Sequence, residues 1–324
     1  MNFHLYYHDD LDGVASGAIF FFFLKKRGDD IISFTPLEYG INFDDKSSAW
    51  ENFAFKIPSI LVDFRYHPKV DWWIDHHASA FAKSEWQASY KDDGQHHWNP
   101  KAPSACGLVA RFLSENHAYE LSEKIQRLVV VVDMDDSAGY PTLESALELD
   151  SASKKIHLLL GDTEMKKNHA TYLAFREFLI KNIISVGMDV ITEMDEYSSR
   201  IALLRDQRIS ADLLSQENAQ LRGKVIFSNK NGAAAHSSRW SVYQKYPEAP
   251  YSVQIIDKGS EFKVGIGSNK WSKEKPVIDL GSIARSHGGG GHFGVGALVV
   301  KTREDADHIA SQIIDLLNSN HPIT

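Results

Sequence analysis

The stretch His8-Asp9-Asp10-Leu11-Asp12-Gly13 follows an apolar segment, Phe3 to Tyr7, and leads into an apolar, helix-like run, Val14 to Leu24. Three carboxylates and an imidazole packed between two buried segments are a costly concentration of charge unless something positive sits among them. Two divalent metal ions are the natural supply. Asp10 and Asp12 stand two positions apart in a loop leaving a strand, so their carboxylates diverge and each can serve a different ion, with the His8 imidazole nearby. The plain alternative is a capped helix start, with Asp12 as the N-cap and Gly13 in the first turn.

Outward from this loop, apolar runs alternate with longer periodic ones to about residue 150. Ile31–Thr35, Ile57–Asp63 and Val70–Asp75 read as strands, and 14–26, 103–115 and 120–132 as helices. The valine-rich end of the last one keeps helical spacing, with Ile125, Leu128, Val129 and Val132 on one face. Strands interleaved with helices predict an α/β fold with a mostly parallel sheet and helices on both faces. In such a sheet ligands gather beyond the carboxyl ends of the strands. His8 to Asp12, Asp63 and Asp75-His76-His77 all fall there, each directly after an apolar run.

Residues 151–222 read as a helical extension and linker. Tyr172, Phe175, Phe178 and Leu179 share one face, a second amphipathic stretch runs from Ile183 to about Leu204, and the charged segment Arg205 to Gly223 reads as a connection. From 223 to 324 a smaller α/β domain is expected. Its strands are Lys224–Ser228, Tyr251–Asp257, Phe262–Gly267 and Gly296–Val300, and its closing helix is signalled by Thr302 with Asp305 and by the stripe Ile309, Ile313, Leu316.

The chain has 324 residues, and its 43% apolar content suits a globular protein of two domains. A net charge of −8 disfavours a protein that coats long nucleic acid, although metals allow short anionic substrates. The one cysteine, Cys106, excludes an intrachain disulfide and a thiolate zinc site; beside Leu108, Val109 and Phe112 it reads as a small buried residue. A reducing cytoplasm fits. The opening residues lack the basic region and cleavage site of an export signal, and Val14 to Leu24 is about half of what a membrane span needs.

Asp75-His76-His77 carries more weight than any single acid, because adjacent histidines point in different directions and can divide the roles of ligand and substrate contact. His96-His97 reads instead as a solvated pair. Four consecutive glycines, Gly288 to Gly291, stand between the helical Ile283-Ala284-Arg285 and the strand Ala297–Val300. There they let the backbone approach a phosphate and point N–H groups at it, with His292 as a further donor.

Taken in order, these pieces resemble the DHH phosphoesterase superfamily, in the branch with a C-terminal DHHA1 domain that includes RecJ-type exonucleases, nanoRNases and cyclic-dinucleotide-related phosphodiesterases. Its first motif is matched by His8-x-Asp10-x-Asp12-Gly13, its second by Asp63, its third by Asp75-His76-His77 and its fourth by an aspartate within Asp133–Asp136. Asp133 is favoured there, with Asp136 as the alternative. The DHHA1 glycine motif is matched by Gly288 to His292.

The resemblance implies that His8, Asp10 and Asp63 hold one ion, that Asp12, Asp63, His76 and the fourth-motif aspartate hold another, and that Asp63 bridges them. His77 would face the scissile phosphate, with Asp75 supporting the histidines. Mixed imidazole and carboxylate ligands favour Mn²⁺, with Mg²⁺ or Co²⁺ as alternatives. The expected activity is two-metal hydrolysis of short oligoribonucleotides or linear dinucleotides to nucleoside monophosphates. Gly289, Gly290, Gly291 and His292 would bind substrate, and a homodimer is left open. The arginine that commonly ends the strand before the glycine motif is missing; Ser268-Asn269-Lys270 stands in its place, so Lys270 or Arg285 is expected to substitute. Trp240, Tyr243 and Trp271 are candidates to stack a base. Two rival readings remain: a 3′,5′-bisphosphonucleotide phosphatase or polyphosphate or pyrophosphate hydrolase, and a non-catalytic nucleotide-binding protein. Asp9 is expected to face solvent.

Overall fold

Phe3, Leu5, Tyr6 and Tyr7 are all buried, which a strand permits only when both faces of its sheet are covered. They form β1 (Asn2–His8), the second strand of a parallel sheet ordered β2-β1-β3-β4-β5, with β2 at Asp30–Leu37, β3 at Ser59–Val62, β4 at Trp72–Asp75 and β5 at His96–Trp98. The computed structural model describes residues 1–39 and 48–319. Because the strands are parallel, the carboxyl ends of β1, β3 and β4 lie along one edge, and the loops that leave them are neighbours.

The helices up to Glu217 are α1 (Leu11–Lys26), α2 (Ser84–Ser89), α3 (Ala105–His117), α4 (Glu123–Asp136), α5 (Leu143–Leu147), α6 (Ala152–Leu160), α7 (Thr163–Lys167), α8 (His169–Asn182), α9 (Met188–Thr192) and α10 (Asp195–Glu217). In α1 the residues from Leu11 to Phe20 are all buried, as befits a helix enclosed by the sheet, α3 and α8. The valine-rich segment is helix α4, with Ile125, Leu128 and Val132 buried.

A second sheet, ordered β10-β11-β9-β8-β7-β6, follows. Its strands are β6 (Gln220–Arg222), β7 (Val225–Lys230), β8 (Tyr251–Asp257), β9 (Phe262–Ser268), β10 (Gly290–His292) and β11 (Val295–Val300), and only β7 and β8 run parallel. Helices α11 (Val242–Lys245), α12 (Leu280–Ser286) and α13 (Arg303–Ser319) complete it. Val253, Ile255, Val264, Ile266 and Leu298 form one core with Leu280 and Ile283 of α12 and Ile313 and Leu317 of α13. The Thr302 hydroxyl caps α13 by accepting from the N–H of Asp305 at 3.1 Å.

Two compact units result: Met1–Gly139 with Leu149–Ile201, and Tyr140–Glu148 with Ala202–Thr324. The architecture is the α/β one expected, but two segments differ. The stretch from Ile183 is interrupted before α9 and again before α10, and the charged segment read as a connection continues α10 to Glu217 before β6 begins. Arginine, glutamine and leucine there are good helix formers, and charge on an exposed face does not break a helix. His96 and His97 also differ from the expectation. They lie in edge strand β5, each with its Nδ1 3.1 Å from an aspartate, Asp93 and Asp92 respectively.

Candidate metal centre

Between β1 and α1 the chain turns within two residues. Asp10, not Asp12, is the N-cap: its Oδ1 accepts from the N–H of Gly13 at 3.0 Å, while its Oδ2 lies 2.8 Å from Nδ1 of His8. A Cβ on Gly13 would stand 2.1 Å from the His8 carbonyl oxygen, so only glycine lets the helix begin this close to the strand.

Asp63, directly after β3, has a φ of 57°, and its side chain is 1% exposed. Its Oδ2 lies 3.5 Å from Nδ1 of His8, and its Oδ1 lies 3.6 Å from Nε2 of His76. Both Asp63 oxygens, His8 Nδ1 and His76 Nε2 are buried without a well-formed hydrogen bond. Buried polar atoms are normally satisfied, and four unsatisfied ones facing each other with two acids between them fit a cationic occupant. Three overlapping groups offer ligand atoms within 4.8 Å of one another: His8, Asp10 and Asp63; Asp12, His76 and Asp136; and Asp63, His76 and His77. Residues 8, 10 and 12 are thus divided between two groups, with Asp63 beside both.

The second group is held from behind by the segment before α3. Oδ2 and Oδ1 of Asp12 accept the backbone N–H groups of Ala105 and Cys106, each at 2.7 Å, at the positive end of that helix. The Ala102 carbonyl, 3.2 Å from Nδ1 of His76, holds the ring so that Nε2 turns towards Asp12, Asp63 and Asp136. Sequence reasoning missed this support, although Ser104 is a residue type that favours the start of a helix.

Of the fourth-motif aspartates, Asp136 reaches the cluster, its Oδ2 3.3 Å from Nε2 of His76. The favoured Asp133 does not. It sits a turn earlier on α4, where its Oδ1 accepts from the Ser104 hydroxyl at 2.5 Å, and Asp135 is turned to His157 at 3.3 Å. Asp9 also departs from expectation: its side chain is wholly buried against Arg176 of α8.

His77 and Asp75 form a separate pair. Oδ1 of Asp75 accepts from Nδ1 of His77 at 2.8 Å and from the N–H of His76 at 2.9 Å, and Asp75 is fully buried. The charges of the cluster are strongly interdependent. Burial works against the charged ring of His76, but Asp63, Asp12 and Asp136 overcome it and push its pKa up to about 10. Burial and the Asp63 charge push Asp136 up to about 7, and burial with Asp63 and Asp136 raises Asp12 well above the carboxylate range. Burial opposes ionisation of Asp63 too, yet the His76 and His8 rings hold it low. Protons thus sit where the surplus negative charge calls for cations.

In the second unit, the glycine run is partly architectural. A Cβ on Gly289 would stand 2.2 Å from the Ala297 carbonyl oxygen, whereas one on Gly290 would meet nothing within 4 Å. Gly291 and His292 belong to β10, and the His292 side chain lies outside the described residues. Arg285 lies 3.3 Å from Asp279 and donates to the Gly291 carbonyl at 3.1 Å, so it braces the run. Tyr243 is buried and donates to Ser252, which makes it packing. Trp240 and Trp271 meet edge to face at 5.9 Å, with the Arg239 guanidinium 4.5 Å from the first ring and the Lys270 ammonium 5.2 Å from the second.

No family model and no curated protein matches the sequence. Solved structures do. The pGpG-specific phosphodiesterase PggH from Vibrio cholerae is 18% identical over 98% of this chain and 100% of its own, with a TM-score of 0.68. RecJ in complex with Mn²⁺ from Thermus thermophilus is 12% identical over 99% of this chain and 52% of its own, with a TM-score of 0.59. An exopolyphosphatase-related protein from Bacteroides fragilis is 13% identical over 98% and 92%, with a TM-score of 0.53. At such identities the likeness is one of fold: the chain has the fold of PggH and RecJ, in line with the fold expected from its resemblance to the DHH/DHHA1 superfamily.

Proposed function

We propose that this protein is a metal-dependent phosphodiesterase that cleaves short oligoribonucleotides or linear dinucleotides to nucleoside monophosphates. The observation that carries the reading is Asp63, whose two unsatisfied buried oxygens face His8 on one side and His76 on the other. His8, Asp10 and Asp63 would hold one divalent ion, and Asp12, Asp63, His76 and Asp136 the other, with Mn²⁺ favoured by the mixture of imidazole and carboxylate. Bound there, such ions supply positive charge to a phosphoryl group and acidify water.

The chain's own groups do the rest. Asp75 fixes the His77 ring through Nδ1, leaving Nε2 to donate to a phosphate oxygen, and burial against that ring's charge is outweighed by Asp75, which raises its pKa. Asp12 is pinned by Ala105 and Cys106, so it keeps its direction as substrate charge arrives. A net charge of −8 supports short substrates over long strands, and the similarity to PggH along its whole length supports a linear dinucleotide such as pGpG. A reducing cytoplasm suits the lone buried thiol, and among the described residues no helix is long and apolar enough to cross a membrane.

Purified protein with Mn²⁺ should cleave labelled pGpG and two- to five-residue RNAs faster than twenty-residue RNA, releasing nucleoside monophosphates. Equal or faster cleavage of the long RNA would defeat the short-substrate reading. Orthophosphate released from bisphosphonucleotides or polyphosphate, with dinucleotides untouched, would replace the diesterase by a phosphatase.

A further inference from the structure

Between two residues assigned above to one metal ion stands a side chain that points the opposite way. His8 and Asp10 turn towards Asp63, and Asp9 turns under the first sheet's edge, where its side chain and that of Arg176 are both 0% exposed. Nε of Arg176 donates to Oδ1 of Asp9 at 2.8 Å, and one terminal nitrogen donates to Oδ2 at 3.3 Å and to the Leu160 carbonyl at 2.7 Å. The Lys166 ammonium lies 3.2 Å from Oδ2 of Asp9, and the Tyr172 ring lies 4.0 Å from the guanidinium. On the main chain, the N–H of Asp9 donates to the Leu37 carbonyl at the end of β2.

A fork-shaped guanidinium on a carboxylate fixes both distance and plane, which an ammonium does not. Fully buried pairs of this kind add little net stability over apolar residues of the same volume, because desolvation offsets the attraction. Their best-attested use is to select one arrangement among several. The arrangement selected here is that of the single residue whose backbone joins His8 to Asp10.

Resting on the metal-binding reading above, we propose that Arg176 is a positioning residue of the metal centre: through Asp9 it fixes the directions in which His8 and Asp10 present their ligand atoms. Arg176 stands 167 residues from Asp9, and its hydrogen bonds go to Asp9, Met165 and Leu160, none of them a proposed ligand.

The test compares Arg176→Lys, Arg176→Met and the double variant Asp9→Leu/Arg176→Met with the parent. Calorimetry gives Mn²⁺ affinity and stoichiometry, and thermal unfolding of the metal-free proteins gives stability. Arg176→Met leaves the buried carboxylate with only the partly exposed Lys166 ammonium beside it, so it should lower both the melting temperature and the affinity. The double variant should recover most of the melting temperature yet bind Mn²⁺ about ten- to a hundredfold more weakly, the usual effect of removing a group behind a ligand. Arg176→Lys keeps the charge without the fork and should also weaken binding at nearly parental stability; it carries the test if neither methionine variant folds. Parental affinity and stoichiometry in the double variant or in Arg176→Lys would overturn the proposal. A parent protein that binds no Mn²⁺ would overturn the metal reading and this proposal with it.

Discussion

The Ser104 hydroxyl donates to Oδ1 of Asp133 at 2.5 Å while its oxygen accepts the N–H of Gly107 at 2.9 Å. One aspartate on α4 thereby anchors the start of α3, whose first N–H groups hold Asp12, and the aspartate three residues later faces His76. The two acids therefore have different work. Asp136→Asn should reduce bound Mn²⁺ from two ions to one, whereas Asp133→Asn should keep two and weaken them by about tenfold to a hundredfold. Calorimetric titration separates these outcomes, and identical behaviour of the two variants would contradict the assignment.

Metal uptake should release protons. The surrounding acids overcome burial and push His76 up to about 10, and burial with the Asp63 charge pushes Asp136 up to about 7, so each favours holding a proton near neutral pH in the metal-free protein. A cation displaces both, so affinity must rise with pH, by up to roughly tenfold per unit for each proton displaced. Titrations between pH 6 and 8 in two buffers of different ionisation enthalpy would count the protons.

Gly13→Ala forces a methyl group to within 2.1 Å of the His8 carbonyl oxygen unless the turn opens. Such overpacking costs on the order of 1–3 kcal/mol. Relief would separate His8 from α1, so Mn²⁺ binding should fall together with denaturant stability.

Lys230 gives the second unit its own pH signature. It is 1% exposed, its ammonium donates to the Ser238 carbonyl at 3.0 Å, and burial, only partly offset by Asp212, lowers its pKa to about 8. The folded value lies below the unfolded one of about 10.5, so between these pH values the unfolded chain binds more protons. Stability should therefore rise from about pH 8 to about pH 10.5, by an amount on the order of 3 kcal/mol for this group, and Lys230 should add no pH dependence below pH 8. Read from unfolding curves, the stability difference between the parent and Lys230→Met should be constant below pH 8 and change with pH in that window.

What was legible in the sequence follows the physics of each element. Runs such as Ile60-Leu61-Val62 and Trp72-Trp73-Ile74 are continuous because both faces of the parallel sheet are covered, and they end at the acids that mark the site. Helix α10 was half hidden, because exposed charged residues from Arg205 onwards carry no apolar stripe to betray it. Strand β5 is three residues long and only partly buried, too short for periodicity to register. The burial of Asp9 and the choice of Asp136 over Asp133 had no local sign at all, since they depend on Arg176 and Ser104, brought close only by the fold.

The donor atoms proposed to meet a metal come from residues 8, 10, 12, 63, 76 and 136, at the ends of three strands and two helices. No stretch of disordered chain presents them together, so an ion gripped by all of them rivets the first unit shut. Free metal at a hundred times its dissociation constant adds about 2.7 kcal/mol to the folded state. A cell short of that metal would then hold a form of the protein that opens more often, and a protease able to seize the opened chain would clear it, so metal supply would set the lifetime of the molecule as well as its rate.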